Sequence, residues 1–157
     1  MRRTALVAVA LALLAAGCDD SQQPRPAAQA PAAREGLRSP EGVMIRDWLM
    51  SVQHGDFGRA ATFFAPGAII DQGDPYRLRN RAAARLFNAT LPCHADLIAL
   101  TQETSAKVLA TFSLRAGPGG PCRGEVRVRY TIKHGKFTEW RQLPEREGEP
   151  SVTGPAV

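Results

Sequence analysis

Two carboxylates, Asp71 and Asp74, sit close together in the stretch IIDQGDPY. A carboxylate works as a general base when a cleft desolvates it and lifts its pKa towards neutrality. Here the neighbours are Gln, Gly and Pro, which build turns, so both Asp side chains first read as turn formers on a loop. The sharper reading makes Asp71 the base of a pocket, with Tyr76 and Arg79 at its mouth. A second stretch, IKHGKFTEWRQL (Ile132–Leu143), mixes Trp140, Arg141 and Gln142 with apolar Phe137 and Leu143. Trp140 has the size to pack a core or to serve as a ligand platform. Gln142 offers amide donors and an acceptor but takes no proton near neutral pH. Arg127 and Arg129 are either a solvated face or an anion-binding wall. His54, His94 and His134 fall at a helix end, beside Cys93 and in a turn, so no pair has ligand spacing and no metal is expected. No phosphate loop, dinucleotide fingerprint or Ser-His-Asp arrangement occurs, so no cofactor is expected and no residue is assigned as catalytic.

These side chains need elements to hold them. Met44, Trp48 and Val52 form one stripe with Ile45 and Leu49 beside it, the three-and-four spacing of a buried helix face. Ser39 suits the N-cap, Pro40 the first turn and Gly55 the end of that helix. Asp56 caps a second, short helix over FGRAATFF, which Pro66 stops. GAII is a brief strand and DQGDPY a loop. Residues 80–89 form a third helix with Ala83, Leu86 and Phe87 inward. Beyond Pro92 the period changes to that of a strand over residues 95–100, 106–115, 124–133 and 136–143. Val126, Val128, Tyr130 and Ile132 alternate with Arg127, Arg129 and Thr131, as in a sheet with one buried face. His134-Gly135 is a two-residue hairpin turn. Helices followed by an antiparallel meander make one α+β domain over residues 40–144.

The chain has 157 residues and a formal charge of +5. Arg2 and Arg3, the apolar run from Ala5 to Ala16 and the small residues after it are the three parts of a secretory signal. The run is shorter than the about 20 residues a membrane span needs. Its end, LAAGC, resembles the lipobox of bacterial lipoproteins. The resemblance implies that residues 1–17 are removed and that Cys18 is acylated. Cys18 would then anchor the protein in the bacterial cell membrane, facing the extracytoplasmic side. Residues 18–39, rich in Pro, Ala and Gln, read as a flexible tether, and residues 145–157 as a disordered tail. Losing Arg2 and Arg3 with the signal lowers the charge from +5 to +3. The remaining Lys and Arg form no basic block with interleaved aromatics, so nucleic acid is not an expected partner. Of the three cysteines, Cys93 and Cys122 remain after Cys18. An even pair in an exported chain reads as a disulfide, worth roughly 3–4 kcal/mol in the chain-entropy model. Two free thiols, or a two-cysteine metal site helped by His94, is the rival reading.

WLMSVQHGDFGRAATFFAPGAIIDQ, the helix after YRLRNRAAARLF and the closing VRVRYTIKHGKFTEWRQL resemble the nuclear transport factor 2-like superfamily in its SnoaL-like branch. The resemblance implies a cone: three N-terminal helices packed on a strongly bent, mainly antiparallel sheet, with a pocket at the wide end. Members include isomerases, cyclases, hydrolases, dehydratases and domains with no reaction, so the fold does not assign a function. In the epoxide-hydrolase branch the last strand reads Trp-Arg-Asp, with that aspartate as base. This chain reads Trp140-Arg141-Gln142, and KVLATFSLR lacks the branch's second aspartate. The expectation is a lipid-anchored domain that binds a small apolar or amphipathic ligand, or a protein partner, without catalysis. An isomerase or hydrolase using Asp71 is one alternative; a structural envelope protein forming a homodimer through its sheet face is another. By strand parity Phe137 and Leu143 should face the helices, and Trp140 and Gln142 should face away. The family places the Trp in the pocket, which requires a bulge between Phe137 and Trp140. With that bulge Gln142 reaches the cavity as a neutral hydrogen-bonding group.

Overall fold

The computed structural model describes residues 35–144. The signal, Cys18, most of the tether and the tail lie outside them. Helix α1 (Pro40–Gln53) starts where the chain's chemistry allows it: Gly42 N–H donates to Ser39 Oγ at 3.1 Å and Pro40 occupies the first turn. It buries Ile45, Trp48 and Leu49 and ends at Gly55, whose φ of 73° an L side chain rarely adopts. Asp56 Oδ1 accepts from Arg59 N–H at 2.9 Å and opens α2 (Phe57–Ala60). A 3-10 turn over Ala61–Phe63 follows, so the helix is shorter than FGRAATFF suggested and β1 (Phe64–Asp71) begins earlier than GAII. Pro66 and Gly67 sit inside β1, where its register against the last strand slips between Phe64 and Ile69. A bulge is where a strand tolerates proline.

The expected loop DQGDPY holds over residues 72–75, and a short edge strand, β2 (Tyr76–Leu78), follows it antiparallel to Ala68–Ile70. Asn80 Oδ1 then accepts from Ala83 N–H at 2.9 Å and caps α3 (Arg81–Ala89). The helix is rotated from the expected setting. Ala84, Phe87 and Asn88 are buried, whereas Leu86 is 65% exposed. The cause is polar. Asn88 Oδ1 accepts from Trp48 Nε1–H at 2.7 Å, and Asn88 Nδ2 donates to Ala84 O at 2.7 Å. A buried amide whose bonds are met belongs to the core as firmly as a leucine. Asn88→Ala should lower stability by about 2 kcal/mol by stranding the buried indole N–H. A thermal melt reads the loss. In a Trp48→Phe background most of it should vanish; full additivity would show that the bond carries little.

Four further strands complete the sheet: β3 (His94–Thr104), β4 (Lys107–Arg115), β5 (Glu125–Lys133) and β6 (Lys136–Gln142). Their order is β2-β1-β6-β5-β4-β3. Every neighbouring pair is antiparallel except β1 with β6. Register slips in the β3–β4, β5–β6 and β1–β6 pairs bend the sheet round the helices. The β5–β6 turn has positive φ at both His134 (49°) and Gly135 (65°), the two-residue hairpin that the dipeptide announced. Phe137, fully buried, lies at the centre of the core. Its ring is 4.8 Å from that of Tyr130, 5.2 Å from Phe64 and 5.9 Å from Trp48.

The folded unit reaches further back than residue 40. Arg38 N–H donates to Glu35 O and Ser39 N–H to Gly36 O, and Leu37 packs on the core. Gly36 lies so close to β3 that a Cβ there would collide with the Leu100 carbonyl. The stretch first assigned to the tether, 18–39, is therefore packed structure from residue 35.

Candidate functional site

Between α1 and the inner face of the sheet lies a cavity of about 370 Å³, within the size range of small-molecule sites. Trp48, Leu49 and Val52 of α1 form one wall. The sheet contributes Phe112 and Leu114 of β4 and Val126, Val128 and Tyr130 of β5. The strand alternation of β5 places Val128 and Tyr130 inward. The segment from Leu91 to Ala95 closes a third side. It is held by the disulfide Cys93–Cys122, with Cα atoms 5.8 Å apart, and by Gly119 N–H donating to Pro92 O at 2.9 Å. The two cysteines thus pair, which sets aside the free-thiol and metal readings of Cys93 and Cys122.

The bulge on β6 decides what else enters. Ile132 pairs with Phe137 and Thr131 with Glu139, so Thr138 is the extra residue. It puts Phe137 and Trp140, of opposite parity, on the same inner face. Trp140 is 5% exposed, packs edge-on against Phe87 at 5.7 Å and lines the cavity. It is both core and wall. Gln142, opposite Val128, reaches the cavity at its open side. The same bulge turns Leu143 half-exposed, away from the helices where parity had placed it.

The other site residues read from the sequence stand off the cavity. Ile70 is fully buried, so Asp71 beside it faces outward. There Asp71 Oδ2 lies 3.4 Å from Arg141 Nε, and Oδ1 accepts from Gly73 N–H at 3.1 Å. Asp71 is a turn-forming, ion-paired residue of the outer face and not a pocket base. Tyr76 and Arg79 are exposed on β2 and before α3, and neither lines the cavity. Arg129 forms a two-pronged pair with Glu103 at 2.6 and 2.8 Å, and Arg127 donates to Pro144 O at 3.0 Å. These arginines belong to the outer face. Hydrogen bonding to Arg129 holds the Glu103 carboxyl below its ordinary value.

Gln53, Gln72, His94 and Tyr130 are wall residues that the sequence reading missed. For Tyr130 the signal was present in the Val126-Val128-Tyr130 alternation, which reads equally as core. Gln72 carries no signal of its own in the sequence, lying between Asp71 and Gly73 among turn formers. Gln53 Nε2 donates to Ala95 O at 2.6 Å and joins the end of α1 to β3. Among the described residues no Asp, Glu, Lys or Arg lines the cavity. Tyr130 Oη and Trp140 Nε1 are buried polar atoms without a hydrogen-bond partner among the described residues. Burial pushes the Tyr130 phenol well above its ordinary value, against a smaller opposing pull from the nearby Trp140 indole N–H. The phenol therefore stays neutral and keeps its proton to donate.

No family model matches the chain, and no curated protein matches its sequence. Solved structures do match. The delta 5-3-ketosteroid isomerase from a Mycobacterium species superposes with a TM-score of 0.57 at 17% identity, over 74% of this chain and 99% of that one. An NTF2-like protein of unknown function from Cytophaga hutchinsonii gives a TM-score of 0.52 at 8% identity, over 64% and 85%. The fold is NTF2-like. A candidate polyketide cyclase from Sinorhizobium meliloti shares it as well, with a TM-score of 0.55 at 17% identity over 69% and 98%. At these identities the likeness is one of NTF2-like architecture: three helices in the concavity of a bent six-stranded sheet. What each relative does rests on its own side chains.

Proposed function

We propose that this chain is a lipid-anchored protein whose SnoaL-like domain holds a small apolar or amphipathic molecule outside the cytoplasm without transforming it. One observation carries the reading: a cavity of about 370 Å³, lined by apolar side chains and by neutral Gln53, Gln72 and Gln142, with no carboxylate on its wall. General acid–base work needs a group that exchanges a proton at the reacting atom, oriented by a partner. Asp71 is turned away and paired with Arg141. His94, at the head of β3, lines the cavity without a side-chain hydrogen bond among the described residues to orient it. The neighbours' isomerase and cyclase names accompany a likeness of fold alone, and this wall lacks the carboxylate that an isomerase or hydrolase reading would use. Pairing through the sheet finds less support. The outer face carries the ion pairs Glu103–Arg129 and Glu139–Arg141 rather than an apolar patch.

Native mass spectrometry of the purified protein should show a bound small molecule, or uptake of the neutral apolar dye Nile red. Val126→Trp, which fills the cavity, should abolish both while leaving the circular dichroism spectrum intact. A protein that neither carries nor takes up an apolar molecule would overturn the reading. The anchor has its own test. Cys18→Ala should move the protein from the membrane fraction to the soluble exported fraction, because an acylated N-terminus is what would hold it there. Unchanged membrane association would remove lipidation from the proposal.

A further inference from the structure

Resting on the reading of the cavity as a ligand site, we infer that its occupant is an uncharged amphiphile whose buried end carries a hydrogen-bond acceptor. Charge comes first. A bound carboxylate or ammonium would give up its water for a wall that holds no Asp, Glu, Lys or Arg among the described residues, His94 being its one ionisable side chain besides the Tyr130 phenol, and an ion buried without a partner is held at heavy cost. The arginines of β5 and β6 do not supply one. Arg129 and Arg141 are committed to Glu103 and Glu139 on the outer face, and Arg127 to the Pro144 carbonyl. Fatty acids and other anions are thereby disfavoured, although the protein as a whole is basic.

The polarity of the inner end follows from two side chains. Tyr130 and Trp140 stand opposite each other on β5 and β6, both line the cavity, and both are more than nine-tenths buried. Their Oη and Nε1 atoms have no hydrogen-bond partner among the described residues. An indole nitrogen can only donate, and a neutral phenol has a proton to give. Even where the indole N–H leans on the phenol oxygen, the phenol proton still asks for an acceptor, which the described residues do not provide there. A ligand oxygen seated on this end of the cavity would meet that demand, as an alcohol, amide, ester or ketone could. The remaining polar side chains of the wall, His94 apart, are amides. Gln53 comes from α1, Gln72 from the turn after β1 and Gln142 from the end of β6. Three glutamines from three elements can both donate and accept, which suits a neutral polar head and gives no preference for charge.

A series of short-chain probes separates these terms: nonane, octanamide and octanoate, titrated into the purified protein at neutral pH with tryptophan fluorescence as readout. Octanamide should bind at least about tenfold more tightly than octanoate. Tyr130→Phe and Trp140→Phe should each reduce the octanamide-to-nonane affinity ratio by about threefold to tenfold, the worth of one hydrogen bond. Nonane affinity in the same variants should hold steady, which shows that the cavity still forms. Octanoate binding as tightly as octanamide would overturn the inference while leaving the ligand site standing. An unchanged ratio in both variants would do the same. Failure of all three probes to bind would instead overturn the ligand-site reading, and this inference with it.

Discussion

Phe137→Ala is expected to cost about 4 kcal/mol of stability, as truncating a fully buried phenylalanine does when its surroundings cannot collapse. Phe137 is such a residue. It is 0% exposed and has the rings of Trp48, Phe64 and Tyr130 around it, with Phe63 stacked at 6.2 Å. Those rings come from α1, β1 and β5, so relaxing into the hole would mean moving a helix and two strands together. The loss is a large share of the roughly 5–15 kcal/mol by which domains are stable. Phe137 also anchors the bulge that turns Trp140 inward, so the variant should lose cavity binding before it loses secondary structure. Denaturant midpoints read the stability and Nile red uptake the cavity. A loss below about 1 kcal/mol would mean that the aromatic cluster repacks freely and that the bulge is not held from this side.

Breaking the bond between Cys93 and Cys122 should cost nearly as much. The cross-link spans 29 residues, which corresponds to roughly 3–4 kcal/mol in the chain-entropy model. The double variant Cys93→Ala/Cys122→Ala should fold less stably by that amount. The effect should be local as well. The Leu91–Ala95 wall of the cavity is tied down by this bond and by a loop whose Gly117 packs with no room for a Cβ against Pro92, Cys93 and His94. Dye release should therefore quicken in the double variant and on reduction of the native protein. Alkylation of the native protein without reductant should find neither thiol free. Quantitative labelling would refute the bond.

What the sequence disclosed and what it hid divide along physical lines. Signals read over a few residues survived. Ser39 and Asp56 cap the first two helices through their own side chains, and His134-Gly135 makes its turn with two positive φ values. Period-two alternation placed Val128 and Tyr130 inward. Features that depend on a distant partner were harder. Asn88 reads as an exposed polar residue until Trp48, forty positions earlier, is seen to donate to it. That bond is what rotates α3 and leaves Leu86 in solvent. β2 exists because β1 offers it an edge; Tyr76–Leu78 is too short a run to announce a strand by itself. Parity mispredicted Leu143 because a single extra residue, Thr138, resets the strand, and the need for that reset came from the likeness to a family. The outward turn of Asp71 could be read only once Ile70 was known to be wholly buried.

The place of β6 in the sheet has a consequence in time. Among the described strands it is the last to be made, yet it lies between β1 and β5. Without it the β1–β2 hairpin and the β3–β4–β5 meander share no hydrogen-bonded edge, and each exposes one. A chain emerging from its N-terminus therefore accumulates two half-sheets with raw borders that cannot join until residues 136–142 arrive. Non-local pairing of this kind is slow, and open edges are where chains stick to one another. The interval before the final strand docks is thus the period of greatest vulnerability for this protein. A chain cut short at the β5–β6 turn should be recovered as aggregate rather than as a smaller folded unit.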